Sequence, residues 1–283
     1  MADFKILPSD GTHMSGLVTD EANQLPRQCS NCVFYKEDHC NHPVVMYDPD
    51  VLGTQGEPKP VGDKWCCNFF RSPKRVLLYA MRHGEDENDK LIGGWEDAPI
   101  DEKGIKDAKE AAEILKDKGI RCIVSSDMKR TMETVKIVAK EMGIRPKDIL
   151  TDVRLRTWNK GYLNGEEKTD ENKEVLGYFK DHPTLVIPDG EAHKGFETRS
   201  DEAFDYYLEC ARETGTKLLS LHNSGIKQLQ RYVQHKSDPE AGLTSKNESP
   251  DSVEPGGILE VSEDHGVLSC KVIFKDANHK FQN

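Results

Sequence analysis

From residue 76 onward the apolar positions fall into two alternating rhythms. Val76-Leu77-Leu78-Tyr79-Ala80-Met81 is a continuous apolar run of the kind buried on both faces of a parallel sheet. Asp101 offers an N-cap for a helix reaching about residue 118, with Ile105, Ala108, Ala112 and Leu115 on one face and Gly119 as its stop. Ile120–Val124 reads as a second strand. Asp127 offers a cap to a helix whose buried stripe is Met128, Thr131, Val135, Val138 and Met142, ending at Gly143. A helix is expected over 196–214, a third strand at Lys217–Leu221 and another helix from Gly225 to about His235. The stretch 236–256, rich in Ser, Pro, Glu and Gly, reads as a loop, and Gly257–Val261 with Val267–Lys275 as a closing hairpin around Asp264-His265-Gly266. Strands alternating with helices predict an α/β fold with a mostly parallel sheet covered on both faces. No internal repeat is visible.

Before residue 74 this rhythm is absent. Residues 1–26 are polar without a sustained period and read as a flexible arm. Residues 27–73 are too few for a large core and carry five of the eight cysteines, Cys29 to Cys67, beside Pro43, Pro49, Pro58 and Pro60. Cys122, Cys210 and Cys270 stand apart. The start, Met1-Ala-Asp-Phe-Lys5, lacks an export pattern, which predicts a cytoplasmic protein whose clustered cysteines are metal ligands and not disulfides. Cys29 and Cys32 form a C-x2-C knuckle, and Cys40 and Cys66 complete four thiolates for tetrahedral zinc or an iron–sulfur cluster, with His42 or Cys67 as alternative ligands. The division is therefore an arm at 1–26, a small irregular Cys-rich metal-binding module at 27–73 and a larger α/β domain at 74–283.

Charge narrows the partners. Lys plus Arg number 39 against 50 Asp plus Glu, a net charge of −11, which argues against nucleic acid or an anionic membrane as the main partner. No apolar run approaches the ~18 residues needed to span a bilayer.

In open α/β sheets ligands bind beyond the carboxyl ends of the strands. The first strand runs into Arg82-His83-Gly84-Glu85, the second into Ser125-Ser126-Asp127 and then Arg130, the third into His222-Asn223-Ser224-Gly225. Two histidines and two arginines can thus meet at one edge. Arginine presents a fixed fork of donors suited to phosphate, and Arg130 falls in the first turn of its helix, where an anion is favoured. An imidazole kept neutral by neighbouring cations is nucleophilic, and those cations spread the charge of a phosphoryl group in transfer.

Arg82-His83-Gly84-Glu85, the stretch Gly94-Trp95 to Gly104, Ser125-Ser126 to Arg130 and Thr134, Gly190-Glu191 and His222 resemble, in that order, the histidine phosphatase superfamily in its phosphoglycerate-mutase-like branch. The resemblance runs from about residue 76 to 262. It implies a three-layer α/β/α sandwich, His83 as the nucleophile that becomes phosphohistidine, and Arg82, Arg130 and His222 as the rest of the phosphate pocket. It implies no cofactor for the chemistry. The order C-x2-C-x-F-Y, Cys, then Trp-Cys in the N-terminal segment somewhat resembles high-potential iron–sulfur proteins.

Three departures bear on function. Where the family carries a Leu-Arg-Glu acid, this chain has Leu155-Arg156-Thr157, and a threonine cannot protonate a leaving group as a carboxylic acid does. The other branch places an Asp after the second histidine, and here that residue is Asn223. Glu85, Asp86 and Glu191 are candidate substitutes for the missing acid; without one, leaving groups that depart unprotonated are favoured. The loop from Gly84 to Gly94 is acidic, with Glu85, Asp86, Glu87 and Asp89, which weighs against a polyanionic substrate. The expectation is a phosphatase acting on a small phosphorylated substrate or phosphopeptide through phosphohistidine, with a protein partner through the Cys-rich module. The alternatives are a catalytically impaired phosphate-ligand-binding or scaffold protein and a phosphoglycerate-type mutase.

Overall fold

The apolar run at 76–81 becomes strand β1, Arg75–Arg82, in the computed structural model of the chain. Residues 75–237 and 253–276 are described, other than Asp89, Asp97 and His265, together with the backbone of short strands before residue 75. The chain divides into two compact units, Met1–Arg75 with Glu263–Val267, and Val76–Ser262 with Leu268–Asn283. In the first, Lys5–Leu7 pairs with Met14–Ser15 and with Trp65–Cys67, Thr19–Asp20 with Leu25–Pro26, and Tyr35–Lys36 with His39–Cys40. Cys29 and Cys32 lie outside the described residues, as do His42 and the side chains of Cys40, Cys66 and Cys67, so the zinc or iron–sulfur expectation falls there too.

After β1 come α1 (Glu102–Leu115), β2 (Cys122–Ser125), α2 (Lys129–Glu141), β3 (Leu150–Thr151), α3 (Asp170–Asp181), α4 (His193–Thr214), β4 (Lys217–Leu221), α5 (Asn223–Ser237), β5 (Val253–Asp264) and β6 (Val267–Asp276). The six strands form one sheet in the order β3-β2-β4-β1-β5-β6. β4 runs parallel to both neighbours, with Leu221 opposite Arg82 on β1 and Ser220 opposite Ser125 on β2. This register brings the carboxyl ends of three strands level, so the residues that follow them share one edge.

Side-chain alternation splits the interior into two cores, one on each face. Tyr79, Met81, Ile123 and Leu218 pack with Ala108, Ala111 and Leu115 of α1 and Val135 and Val138 of α2. Leu78, Ala80, Val124 and Leu219 pack on the opposite face with Phe204 and Leu208 of α4 and Ile226 and Leu229 of α5. The α/β/α layering expected from the sequence is the observed one. Among the described residues no helix is long and apolar enough to cross a membrane.

Local expectations fare unevenly. The Asp101 carboxylate accepts from the Gly104 N–H at 2.7 Å and caps α1 as expected. Ile105, expected inside, is 40% exposed, whereas Asp107 is buried because α1 turns this position toward the backbone behind β1. There its carboxylate accepts from the Glu85 N–H at 3.2 Å and from the Lys275 ammonium on β6. α2 starts at Lys129 with Met128 in the cap position; Asp127 is instead bound by the Arg156 guanidinium at 2.6 and 2.5 Å, so that long-range pair displaces the expected cap. β5 begins at Val253, inside the stretch read as loop.

One contact sets how close α1 can come to the strand ends. A Cβ on Gly84 would lie 2.4 Å from the Gly104 carbonyl oxygen, and a Cβ on Gly104 would lie 2.2 Å from the Glu85 carbonyl oxygen. Both obstacles are backbone and cannot swing away. Gly104→Ala is therefore expected to destabilise the protein by about 1–3 kcal/mol and to displace residues 84–85. Urea denaturation measures the first effect, and a surface variant such as Lys118→Ala serves as the neutral control.

Candidate active site

His83, Arg82, Arg130 and His222, singled out at three strand ends, all line one cavity of about 680 Å³. The register explains the meeting: the His83 N–H donates to the Leu221 carbonyl at 3.0 Å, so the residues following β1 and β4 stay side by side. Their rings lie edge to face with centroids 5.3 Å apart.

Protonation follows from the hydrogen bonds. His83 Nδ1 lies 2.8 Å from the Gly84 carbonyl oxygen. A carbonyl only accepts, so Nδ1 carries the proton and Nε2 of the neutral ring keeps its electron pair. Arg130 Nε donates to His222 Nδ1 at 3.2 Å, which places the His222 proton on Nε2, 3.1 Å from Ser126 Oγ. Burial, then Arg130 and Arg82, hold the His83 pKa well below the ordinary imidazole value. Burial and Arg130, followed by His83, do the same for His222. Both rings are neutral at pH 7.

The two arginines are placed differently. Arg82 donates through one terminal nitrogen to the Val253 carbonyl at 2.9 Å, while its buried Nε has no partner among the described residues. Arg130, 2% exposed, gives one terminal nitrogen to the carbonyl and carboxylate of Glu96 at 2.9 and 3.3 Å and the other to the Gly94 carbonyl at 2.7 Å. It sits in the first turn of α2 as expected, and it also ties the 94–96 loop to the site.

The candidate acids separate. Asp86 lines the cavity, with Oδ2 3.9 Å from His83 Nδ1 and 3.8 Å from Arg130 Nε. Glu85 also lines it and pairs with Lys103 at 3.0 Å. Glu191 is excluded as a free acid: Arg199 grips its carboxylate at 2.6 and 3.0 Å, and the Asn159 N–H donates to Oε1 at 2.8 Å. Its role is to hold the segment carrying Thr157, whose carbonyl also accepts from Arg199. The Thr157 hydroxyl is on the cavity wall, 2.7 Å from Ser224 Oγ.

Several cavity residues escaped the sequence reading. Glu197 lines the wall and pairs with His193 at 3.3 Å. Lys160, Lys168, Lys180, Lys227 and Arg231 also line it, so the cavity is basic despite the acidic loop, contrary to the expectation drawn from Glu85, Asp86, Glu87 and Asp89. Lys160 donates to the Gly93 carbonyl, and burial pulls its amine down to about 8. The Lys227-x3-Arg231 spacing downstream of His222 was the signal available for two of these residues. Among the described residues no group of three or more His, Cys, Asp or Glu side chains could hold a metal ion.

The two depressed histidines fix a pH dependence of stability. Below the ordinary imidazole value of about 6.5 the unfolded chain binds protons that the folded sites refuse, so stability falls as pH falls through that value. Unfolding at pH 5.5 should take up as much as roughly one extra proton for each histidine. The slope of the urea-derived stability against pH measures this, and it should flatten in His222→Gln.

The Histidine phosphatase superfamily (branch 1) profile matches residues 78–248. The chain is 32% identical over 151 residues to the probable phosphoglycerate mutase GpmB of Proteus mirabilis, covering 51% of this chain and 69% of that protein. To the protein of the same name from Escherichia fergusonii it is 33% identical over 154 residues, with the same coverage. Among solved structures it is similar to Bacillus stearothermophilus YhfR, with TM-score 0.56 and 26% identity over 71% of this chain and 96% of that one. The fold is also shared with a mycobacterial glucosyl-3-phosphoglycerate phosphatase, TM-score 0.55 and 18% identity over 72% of this chain and 99% of that one. The profile spans every strand end that contributes to the cavity and covers more than half of the sequence: the chain belongs to the histidine phosphatase superfamily, branch 1.

Proposed function

We propose that this chain is a phosphatase that hydrolyses a small phosphate monoester through a phosphohistidine at His83. The observation that carries the reading is the His83 Nδ1–H bond to the Gly84 carbonyl, which leaves an electron pair on Nε2 of a neutral ring lining a basic cavity.

In the first step Nε2 attacks phosphorus, the N–P bond forms and the ester P–O bond breaks, the leaving oxygen taking the electron pair. Arg82 supports the non-bridging oxygens; its unpartnered Nε is a buried donor suited to an anion. Arg130 and His222 complete the pocket. In the second step water attacks phosphorus, the N–P bond breaks, phosphate leaves and His83 returns neutral, the water's proton passing to phosphate or solvent. With a hydroxyl of Thr157 where relatives of this type carry a carboxylic acid, protonation of the leaving oxygen is weak unless Asp86 supplies it, so good leaving groups are favoured.

Thr157 also favours a second reading, a phosphate-binding protein that does not turn over. The curated relatives' names favour a third, transfer between positions of a sugar acid. His83→Ala is expected to abolish both turnover and acid-labile phosphate labelling. A parent protein that binds phosphate without labelling supports the binding reading, and transfer in place of hydrolysis supports the mutase. Across aryl and alkyl phosphates graded by leaving-group pKa, kcat should fall steeply as that pKa rises; a flat series overturns the weak-acid account.

For the N-terminal segment the proposal is a zinc or iron–sulfur module on Cys29, Cys32, Cys40 and Cys66, supported by the clustering of the cysteines and the Cys29-x2-Cys32 knuckle alone. Elemental analysis of anaerobically purified protein should find stoichiometric zinc, or iron with labile sulfide.

A further inference from the structure

Three cations on the cavity wall are not used by the proposed phosphoryl chemistry. Lys180 reaches it from α3, and Lys227 and Arg231 reach it from α5, four residues apart and so on one helix face. Among the described residues none of these three side chains forms an ion pair or a side-chain hydrogen bond. The carboxylates on the cavity wall are engaged elsewhere: Glu85 with Lys103, Glu197 with His193 and Lys194, and Asp86 beside His83 and Arg130. Among the described residues the three cations therefore share the cavity wall without a carboxylate paired to any of them.

Their like charges bear on one another. Burial, then Lys180, Arg231 and Arg82, lower the Lys227 pKa. Arg82 belongs to that set because it lines the same cavity. Half-burying an ammonium among like charges costs stability that a surface arrangement would avoid, and an anion bound there offsets the cost. Arg82 and His83 suit a phosphoryl group, and a cavity of about 680 Å³ has room for a ligand well beyond one phosphate.

We infer that Lys180, Lys227 and Arg231 form a second anion subsite, so that the substrate is a small phosphate monoester carrying a second anionic group, carboxylate or phosphate, on carbons remote from the scissile ester. This rests on the phosphatase reading of the His83 end. It also explains how an acidic chain selects a doubly anionic ligand: the selectivity is local to three side chains on two helices.

Binding without turnover tests it on the full chain. Calorimetry compares an alkylphosphonate with α,ω-bisphosphonates and phosphonocarboxylates of two to five carbons. At low salt the best doubly anionic ligand should bind about tenfold tighter than the monophosphonate, a gain that shrinks as salt rises. In Lys227→Ala/Arg231→Ala the ratio of the two dissociation constants should fall toward one, and Lys227→Arg should retain it. Lys180→Ala, an exposed change on a different helix, gives an independent reduction should the double variant fold poorly. Whether the bisphosphonate or the phosphonocarboxylate gains more identifies the second group. A parent ratio near one, or a ratio unmoved by the substitutions, overturns the subsite while leaving the phosphate site standing. Failure of the monophosphonate to bind at all overturns both.

Discussion

The site is organised around a buried guanidinium. Arg130 has almost no access to solvent, and a charge in that position persists only with its donors met by protein. Those partners come from separate parts of the chain: His222 after β4, and Gly94 and Glu96 from the loop before α1. Meeting them fixes the His222 tautomer, closes the loop over the strand ends and puts a permanent positive charge close to both imidazoles. The neutrality of His83 follows from that charge and from burial together. A protonated His83 could not attack phosphorus, so the arrangement that stabilises the guanidinium also keeps the proposed nucleophile competent.

Composition and local field point in opposite directions here. Net charge −11 describes the average surface, and it supports the argument against polyanionic partners of large area. It says nothing about a cavity lined by five lysines and arginines in addition to Arg82 and Arg130. The acidic loop near the site pairs with those cations or with others: Asp86 approaches Arg130, and Glu85 takes Lys103. Short-range pairing thus offsets two of the four acidic charges, Glu85 and Asp86, that a sequence count places beside the pocket.

What could be read in advance divides along the same line between local and long-range order. β4 is legible at its observed limits, because Leu218, Leu219 and Leu221 lie between Gly215 and His222 with no competing helical pattern. The three strand ends and their histidines and arginines were visible because position after a strand is a local property. Asp127 was misread as a cap since Arg156, 29 residues away in sequence, outcompetes the helix for its carboxylate. Glu191, one of three candidate acids in the sequence, is taken by Arg199 on α4, a pairing the sequence does not display. α3 and its Lys180 are hard to read in the sequence because the helix buries no residue fully and its apolar face is short, Leu176 and Phe179 resting on Trp158, Ile187 and Phe196; the Thr169 cap, accepting from the Asn172 N–H, marks its start locally. Asp107 lies inside for a reason on β6, through Lys275.

The contrast between β4 and α3 has a consequence for motion. All five residues of β4 are buried at the middle of the sheet, so exposing its amides requires unfolding most of the domain. α3 buries no residue fully and is held by partly buried Leu176 and Phe179 against Trp158, Ile187 and Phe196, so opening it costs less than exposing β4. The spacing of His83 and His222 is therefore held by a strand buried along its whole length, whereas Lys180 rides on a helix with no fully buried residue. Under the proposed reaction, such a division lets the cationic wall adjust to ligand while the spacing of the proposed nucleophile and its neighbour stays constant.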